Sequence, residues 1–172
     1  AQRAQENRLR EQVIFADRGI ITDRAGIPLA WNELGSIGDD FANRVYAPMR
    51  GLAHVVGYVK SPAKDSSGFY YRDAFAGLDG TEEAYDGMLA GRNGKKLTET
   101  DAHGKTVSES AVNLPEAGNK LILSIDAKVT QGLYDAIAEK AKQSSFQGGS
   151  GAIMDVQTGE LLALTSYPEY SQ

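Results

Sequence analysis

Residues 18–30 read RGIITDRAGIPLA, and this stretch decides the first part of the fold. Two isoleucines, Ile20 and Ile21, precede Asp23, and a second apolar run begins at Ile27, directly after Gly26. Asp favours the opening of a tight turn and Gly favours its close, because Gly accepts backbone angles that strain other residues. The stretch therefore predicts a β-hairpin made of strand, turn and strand.

The segments around this hairpin contain shorter sequence patterns that predict secondary structure. Residues 1–16 place a few apolar side chains among charges, which is typical of a short helix running into a strand. Residues 32–43 are rich in Gly, Ser, Asp and Asn and predict a loop. The run LAHVVGYV at 52–59 indicates a buried strand or a helical turn. Polar alternation over 95–110, with the turn DAHG at 101–104, predicts an exposed hairpin.

A short helix is expected over TEEAYDGMLA, residues 81–90. Thr81 is a candidate N-cap because its hydroxyl can accept a hydrogen bond from a free backbone N–H of the first turn. Glu82 and Glu83 follow it, where the helix dipole favours negative charge. The helix is expected to end near Gly91.

The last third of the sequence predicts a strand at 121–125, a helix from the cap Asp126 to about Lys142, and a hairpin. Val129, Leu133, Ala136 and Ile137 are expected on one face of the helix. The hairpin arms are AIMDV and ELLALTSY, and the second arm is almost continuously apolar. Such a strand is typical of a sheet covered on both faces, so the hairpin implies a sheet larger than the two strands present, and the chain is expected to lack the remaining strands.

Composition excludes several classes of function. A net charge of −5 and a pI near 5.1 argue against a nucleic-acid partner. The chain has no cysteine and two histidines, His54 and His103, neither at a recognisable metal-ligand spacing. No cofactor is expected, since the glycines do not form a nucleotide-binding pattern. No apolar stretch approaches the roughly 18 residues that a membrane span requires.

Four stretches, in the same order, resemble the class B penicillin-binding proteins, membrane-anchored transpeptidases that cross-link peptidoglycan. They are the hairpin sequence at 18–30, the run at 52–59, GLDGTEEAYDGMLAGRNG at 77–94, and the segment from LILSIDAKVTQGLYDAI to GAIMDVQTGELLALTSYPEY. Thr81 and Glu83 depart from the commoner Ile and Lys of the family. The resemblance covers almost the whole chain.

The resemblance marks a set of structural motif residues, which are Arg18, Gly19, Asp23, Arg24, Gly26, Gly77, Gly80, Glu82, Tyr85, Asp86 and Gly91. We expect Arg18, Asp23, Arg24 and Glu82 to form one ion network that joins the hairpin to the short helix. The alternative is that these four side chains are separately solvated. Gly77, Gly80 and Gly91 are expected to serve tight turns.

The fold class that the resemblance implies is α+β. Residues 1–118 would form an elongated, mainly-β pedestal or dimerisation domain with short helices. Residues 119–172 would form the first strand, helix and hairpin of a truncated transpeptidase domain. The family usually carries a long head insertion near 32–43, so this segment is naturally short or was engineered to be short.

The family's acyl transfer uses a Ser-x-x-Lys nucleophile, a Ser-x-Asn motif and a Lys-Thr-Gly strand. Ser61-Pro62-Ala63-Lys64 is the sole Ser-x-x-Lys of the sequence, and the other two motifs do not occur. Since it lies in a polar loop, we expect it to be a chance match and the true serine to lie downstream of Gln172. No catalytic residue is therefore expected in this chain.

The function implied is that of a non-catalytic part which positions a transpeptidase. The expected partners are a membrane glycosyltransferase and other cell-wall assembly proteins, with a homodimer as a further possibility. The expected location is extracytoplasmic, with the parent held by a single N-terminal transmembrane helix absent here. The alternatives are the front end of a catalytic D,D-transpeptidase, a small hydrolase using Ser61, and a stand-alone binding module.

Overall fold

The computed structural model describes residues 8–36, 38–100 and 106–171. In chain order the strands are β1 (Arg8–Ile14), β2 (Ile21–Thr22), β3 (Pro28–Glu33), β4 (Asn43–Tyr46), β5 (Val59–Lys60), β6 (Ala63–Lys64), β7 (Tyr70–Arg72), β8 (Ala76–Gly77), β9 (Gly94–Thr100), β10 (Thr106–Asn113), β11 (Leu121–Ile122), β12 (Gly149–Met154) and β13 (Leu161–Tyr167). The helices are α1 (Ala53–Val56), α2 (Gly80–Ala84), α3 (Asp86–Leu89) and α4 (Ala127–Ser144). The α+β class is confirmed.

The predicted hairpin at 18–30 is present as β2 and β3, which pair in antiparallel fashion. Asp23 opens the turn, and its Oδ1 accepts hydrogen bonds of 2.8 Å from the backbone N–H groups of Ala25 and Ile27. Gly26 has a φ of 85°, which a residue with a side chain adopts only with strain. Local turn chemistry therefore fixes this hairpin.

The hairpin belongs to a sheet with the strand order β11-β2-β3-β4. β3 extends to Glu33 and β4 begins at Asn43. The loop predicted at 32–43 is therefore present but shorter, because the strands include residues at both of its ends. β11 pairs with β2 in parallel, Leu121 opposite Ile21. This pairing joins the last third of the chain directly to the first hairpin.

A second sheet has the order β1-β9-β10. The hairpin predicted at 95–110 forms from β9 and β10. Its exposure holds for β10, whereas β9 is largely half-buried and its Thr98 is buried. β1 adds a third strand to it, antiparallel to β9, and is the strand expected within residues 1–16; the structure does not describe residues 1–7, where the preceding helix was expected. The predicted turn at 101–104 lies outside the described residues, as do residues 1–7 and His103.

The run at 52–59 forms a helical turn, α1, and enters β5 at Val59. The helix predicted over 81–90 is divided into α2 and α3, and its predicted cap is wrong. Asp79 is the N-cap of α2, with extended backbone and a side chain that accepts from the N–H of Gly80. Thr81 instead donates its hydroxyl to the carbonyl of Val55 at 2.7 Å, because it already lies inside the helix.

Asp126 caps α4 as predicted, accepting from the N–H groups of Lys128 and Val129. The predicted apolar face is only partly right, since Val129 is 39% exposed and Ala136 is exposed. The helix packs on β12 and β13, and its buried side chains are three alanines, one threonine and one tyrosine, with no large aliphatic residue among them. They are Ala127, Thr130, Tyr134, Ala138 and Ala141.

The hairpin at the end of the chain forms as β12 and β13. Ala163 and Thr165 of β13 are buried under α4, whereas Leu164 on the other face is 43% exposed. Among the described residues β12 and β13 form a sheet of two strands, so burial of the second arm on both faces does not occur in this chain.

One hydrophobic core joins the two ends of the chain. Its buried members come from the first hairpin, the short helices and the start of α4, namely Ile21, Leu29, Ala30, Leu52, Val56, Leu89, Ile125 and Ala127. Leu161 of β13 packs against it. Residues on either side of position 118 therefore share one core.

Candidate functional site

Glu82 lies at the centre of a buried ion network. It projects from α2, and its side chain is 0% exposed. Its Oε2 accepts from Arg18 Nε at 2.6 Å and its Oε1 from Arg44 Nε at 2.7 Å. One carboxylate thus ties the segment before β2 and the strand β4 to α2.

Arg18 and Arg44 are joined to each other as well. Arg18 Nη2 donates to the backbone carbonyl of Glu82 at 3.0 Å and lies 2.7 Å from Asp86 Oδ1. Asn32 donates its amide to the Arg18 carbonyl at 2.7 Å and accepts from Arg44 Nη1 at 3.1 Å. The side chains of the two arginines are 0% and 2% exposed, so water screens these charges little.

The network is nearly neutral in sum, since two arginines face Glu82 and the partly exposed Asp86. Arg18 Nη1 and Arg44 Nη2 are buried, and neither has a hydrogen-bond partner among the described residues. Tyr46 lies beside them, and burial together with the negative charge of Glu82 raises the pKa of its hydroxyl to about 12. Tyr46 is therefore neutral at physiological pH.

The four-residue network predicted from sequence is wrong in its membership. Arg18 and Glu82 do meet, but Asp23 caps its own turn and Arg24 makes an exposed contact of 3.6 Å with Glu160. The sequence reading missed Arg44 and assigned no ion pair to Asp86. Side chains alternate between the two faces of a strand, and this alternation in β4 could have placed Arg44 on the buried face of the sheet, next to its strand partner Asn32.

Two motif glycines lie where no side chain fits. A Cβ on Gly77 would lie 2.0 Å from the Glu82 carbonyl oxygen, and one on Gly19 would lie 2.0 Å from the Asn119 carbonyl oxygen. Gly77 also donates its N–H to Asp86 Oδ1 at 3.0 Å. The structure therefore places Gly77, Glu82 and Asp86 in one packed unit around α2.

The other motif residues surround this unit. Gly80 begins α2 and approaches Gly57, and Gly91 follows α3 against Glu116 and Gly118. Tyr85 lies between α2 and α3 and is 44% exposed, so its ring is not part of the core.

Ser61 and Lys64, the Ser-x-x-Lys of the sequence, lie beside and within short strands, respectively. Ser61 directly follows β5 and Lys64 is the last residue of β6, so Lys64 does not lie one helical turn from Ser61. Lys64 Nζ lies 2.5 Å from Asp40 Oδ2, and Tyr70 donates its hydroxyl to the same oxygen at 2.6 Å. The hydrogen bond to Asp40 raises the pKa of Lys64, which is the wrong direction for a general base.

Within the part of the chain that the structure describes, no helix is long and apolar enough to cross a bilayer. The same residues contain no group of three side chains suited to holding a metal ion. His54, one of the two histidines, stacks edge-on against Tyr170 at 4.9 Å between ring centroids.

Comparison with known proteins gives consistent matches. The sequence profile of the penicillin-binding protein dimerisation domain matches residues 39–123. The peptidoglycan D,D-transpeptidase FtsI of Escherichia coli K12 is 24% identical over 221 aligned positions, covering 95% of this chain and 38% of that protein. The peptidoglycan D,D-transpeptidase MrdA of Acinetobacter baumannii is 31% identical, covering 70% of this chain and 18% of that protein.

A solved structure, described as the structural coordination of polymerization and crosslinking by a peptidoglycan synthase complex, shares the fold. It has a TM-score of 0.69 and 21% identity over 99% of this chain and 41% of the other. The chain thus spans well under half the length of the relatives and the structure that it matches.

Proposed function

Because this chain belongs to the class B penicillin-binding proteins and carries their dimerisation domain at residues 39–123, we propose that it positions a peptidoglycan-cross-linking transpeptidase. The observation that carries the proposal is the single core shared by the dimerisation domain and by the start of α4, with Leu161 of β13 packed against it. A domain that holds another at a fixed orientation requires such a rigid connection.

The proposed division is a pedestal at residues 1–118 and the start of a transpeptidase domain at 119–172. The change of architecture supports it, from small sheets and helices of at most five residues to an 18-residue helix lying on a hairpin. The shared core is then the rigid connection between the pedestal and the start of the transpeptidase domain. The motif residues around Glu82 belong to the pedestal and keep its elements together.

The short loop between β3 and β4 is proposed to stand where relatives carry a head insertion. The alignment with the E. coli relative runs over 221 positions, whereas this chain has 172 residues, so the relative contains residues that this chain lacks. The loop is held in place by Asp40, which contacts Lys64 and Tyr70.

We propose that no residue of this chain performs acyl transfer. Ser61 and Lys64 lack the helical geometry of the catalytic motif, and the charge of Lys64 is taken up by Asp40. The transpeptidase chemistry belongs to the parent protein, with its serine in the domain that α4 and the last hairpin begin.

The proposed partners are a membrane glycosyltransferase and other cell-wall assembly proteins, contacted through the pedestal on the outer side of the cytoplasmic membrane. The support is the fold shared with a structure described as a peptidoglycan synthase complex. The parent is proposed to be anchored by one N-terminal transmembrane helix. A homodimer is compatible with the exposed edge strand β10.

Labelling with a fluorescent penicillin tests the non-catalytic role. The 172-residue chain and a Ser61→Ala variant are incubated with the probe, denatured and examined on a gel. We expect no covalent label on either chain, with a complete class B penicillin-binding protein labelled in parallel as the positive control. Label on the unmodified chain that disappears in S61A would make Ser61 a nucleophile and overturn the proposal.

A further inference from the structure

Glu169 binds backbone groups far from it in sequence. Its two carboxylate oxygens accept from the N–H of Gly51 at 2.8 and 2.9 Å, and Oε2 also accepts from the N–H of Ala53 at 3.2 Å. Gly51 directly precedes Leu52, the N-cap of α1, and Ala53 is the first residue of the helix. A carboxylate commonly binds backbone N–H groups at the N-terminal end of a helix. A carboxylate from the end of the chain therefore fills this role for a helix of the dimerisation domain.

Tyr170 makes a second contact beside the first. Its hydroxyl lies 2.8 Å from Asp79 Oδ2 and 2.8 Å from the carbonyl oxygen of Ala53. Its ring meets His54 and Tyr58 edge-on, at centroid distances of 4.9 and 5.6 Å. Burial and the bond to Asp79 raise the pKa of the Tyr170 hydroxyl, so it keeps the proton that it donates.

Asp79 connects this contact to the ion network. It is the N-cap of α2, the helix that carries Glu82. Glu169 and Tyr170 thus contact two short helices of the dimerisation domain, α1 through the N–H groups of Gly51 and Ala53 and α2 through its N-cap Asp79.

A matching contact runs in the opposite direction. Asp23 of the first hairpin is 0% exposed, and its Oδ2 accepts from the N–H of Ala127 at 3.2 Å, at the start of α4. Each part of the molecule therefore offers a carboxylate to the first turn of a helix in the other part. Hydrogen bonds between a carboxylate and backbone N–H groups are charge-assisted and stronger than neutral ones.

We propose that Glu169 and Tyr170 form a clasp that sets the angle between the dimerisation domain and the transpeptidase part, with Asp23 as the opposing contact. Glu169 and Tyr170 are positioning residues, and this role rests on the proposed function. The apolar core joins the two parts through β2, β3, α1 and α3 on one side and through the start of α4 and Leu161 on the other. The clasp adds directional hydrogen bonds at the start of α1 and at the N-cap of α2, which oppose rotation about the apolar contact.

The absence of cysteine allows a direct test of this angle. Spin labels are attached to cysteines introduced at two exposed helical positions, Glu83 in α2 and Lys140 in α4, and the distance distribution between them is measured by electron paramagnetic resonance. The distance distribution of the labelled chain is compared with those of the same labelled chain carrying Glu169→Ala or Tyr170→Phe. The matched control is Glu160→Gln, since the exposed pair of Glu160 with Arg24 also links the two parts.

We expect both clasp variants to widen the distance distribution, and E160Q to leave it unchanged. Amide exchange at Gly51 and Ala53 is expected to become about tenfold faster in E169A, or more, because charge-assisted hydrogen bonds are lost. Glu169→Gln, which retains one acceptor oxygen, should fall between E169A and the unmodified chain.

An unchanged distance distribution in folded E169A overturns the clasp. If E169A does not fold, Y170F decides, because it removes one hydroxyl and keeps the ring. Neither measurement needs a catalytic serine or a partner protein. An unchanged distance distribution would therefore overturn the clasp but not the proposed function. Covalent penicillin labelling of this chain would overturn the non-catalytic role but not the clasp.

Discussion

At the scale of single residues, Glu82 is the side chain on which the buried network depends. Both of its oxygens are bonded to arginine Nε atoms, and all three side chains are almost fully withdrawn from water. A buried ion pair contributes little compared with a well-packed apolar pair, but removing one partner leaves the other charges unpaired. Glu82 is therefore hard to replace although the net contribution of the network is modest.

Glu82→Ala should destabilise the fold strongly. Stranding two buried guanidinium groups is expected to cost about 3–5 kcal/mol. Thermal unfolding followed by circular dichroism should show a midpoint lowered by roughly 6–20 °C in a chain of this size. Glu83→Ala is the matched control, since Glu83 is the next residue of α2 and is exposed. Equal midpoints for E82A and E83A would contradict the network.

At the scale of elements, the loop between β3 and β4 is held by the two polar contacts of Asp40 and by an aromatic cluster. Asp40 binds Lys64 and Tyr70, while Phe41 contacts Phe15 and Phe75 at centroid distances of 5.1 and 5.5 Å. Two hydrogen bonds lower the pKa of Asp40 below its usual value. The bond from Lys64 has the larger effect and the bond from Tyr70 the smaller.

The Asp40 contact should weaken in acid. A carboxylate whose pKa is lowered by folding stabilises the fold above its unfolded value, near 3.8, and loses that effect as the pH falls through the folded value. NMR shifts of the Tyr70 ring should therefore change below about pH 4. In Asp40→Asn this acid step should be absent, and a step of the same size in D40N would show that another group causes it.

Local elements could be predicted where their signals are local. The turn at Asp23 and Gly26 and the cap at Asp126 depend on bonds within a few residues, so the sequence sufficed. The cap of α2 was misplaced because Asp79 and Thr81 are both able to cap, and only the extended backbone at Asp79 decides between them. Arg44 was not predicted as a network member because its partner Glu82 lies 38 residues further along the chain. The sequence contains no local signal that brings these two residues together.

At the scale of the whole molecule, the shared core makes the two proposed domains depend on each other. Ile125 and Ala127 pack with Ile21 and Leu52, and Asp23 binds the first turn of α4. Separate unfolding of either part would expose this core to water. The chain should therefore unfold as one cooperative unit.

Two optical signals can test this cooperativity. Trp31, the single tryptophan, lies in β3 of the first part, whereas α4 is the longest helix and dominates the helical signal of the second. Urea unfolding followed by tryptophan fluorescence and by far-ultraviolet circular dichroism should give the same midpoint. Separate midpoints would mean that the parts unfold independently and that the core does not couple them.

The sheet β1-β9-β10 has a mechanical consequence. β1 is held to β9 by seven consecutive residue pairs, from Arg8 with Thr100 to Ile14 with Gly94. The hydrogen bonds of an antiparallel pair lie across the strands, so tension applied along β1 loads all of them in shear at the same time. Tension applied at Arg8 therefore reaches Gly94 and the segment after α3 without unzipping the sheet pair by pair, and β1 can act as a tether that transmits tension to the body of the protein.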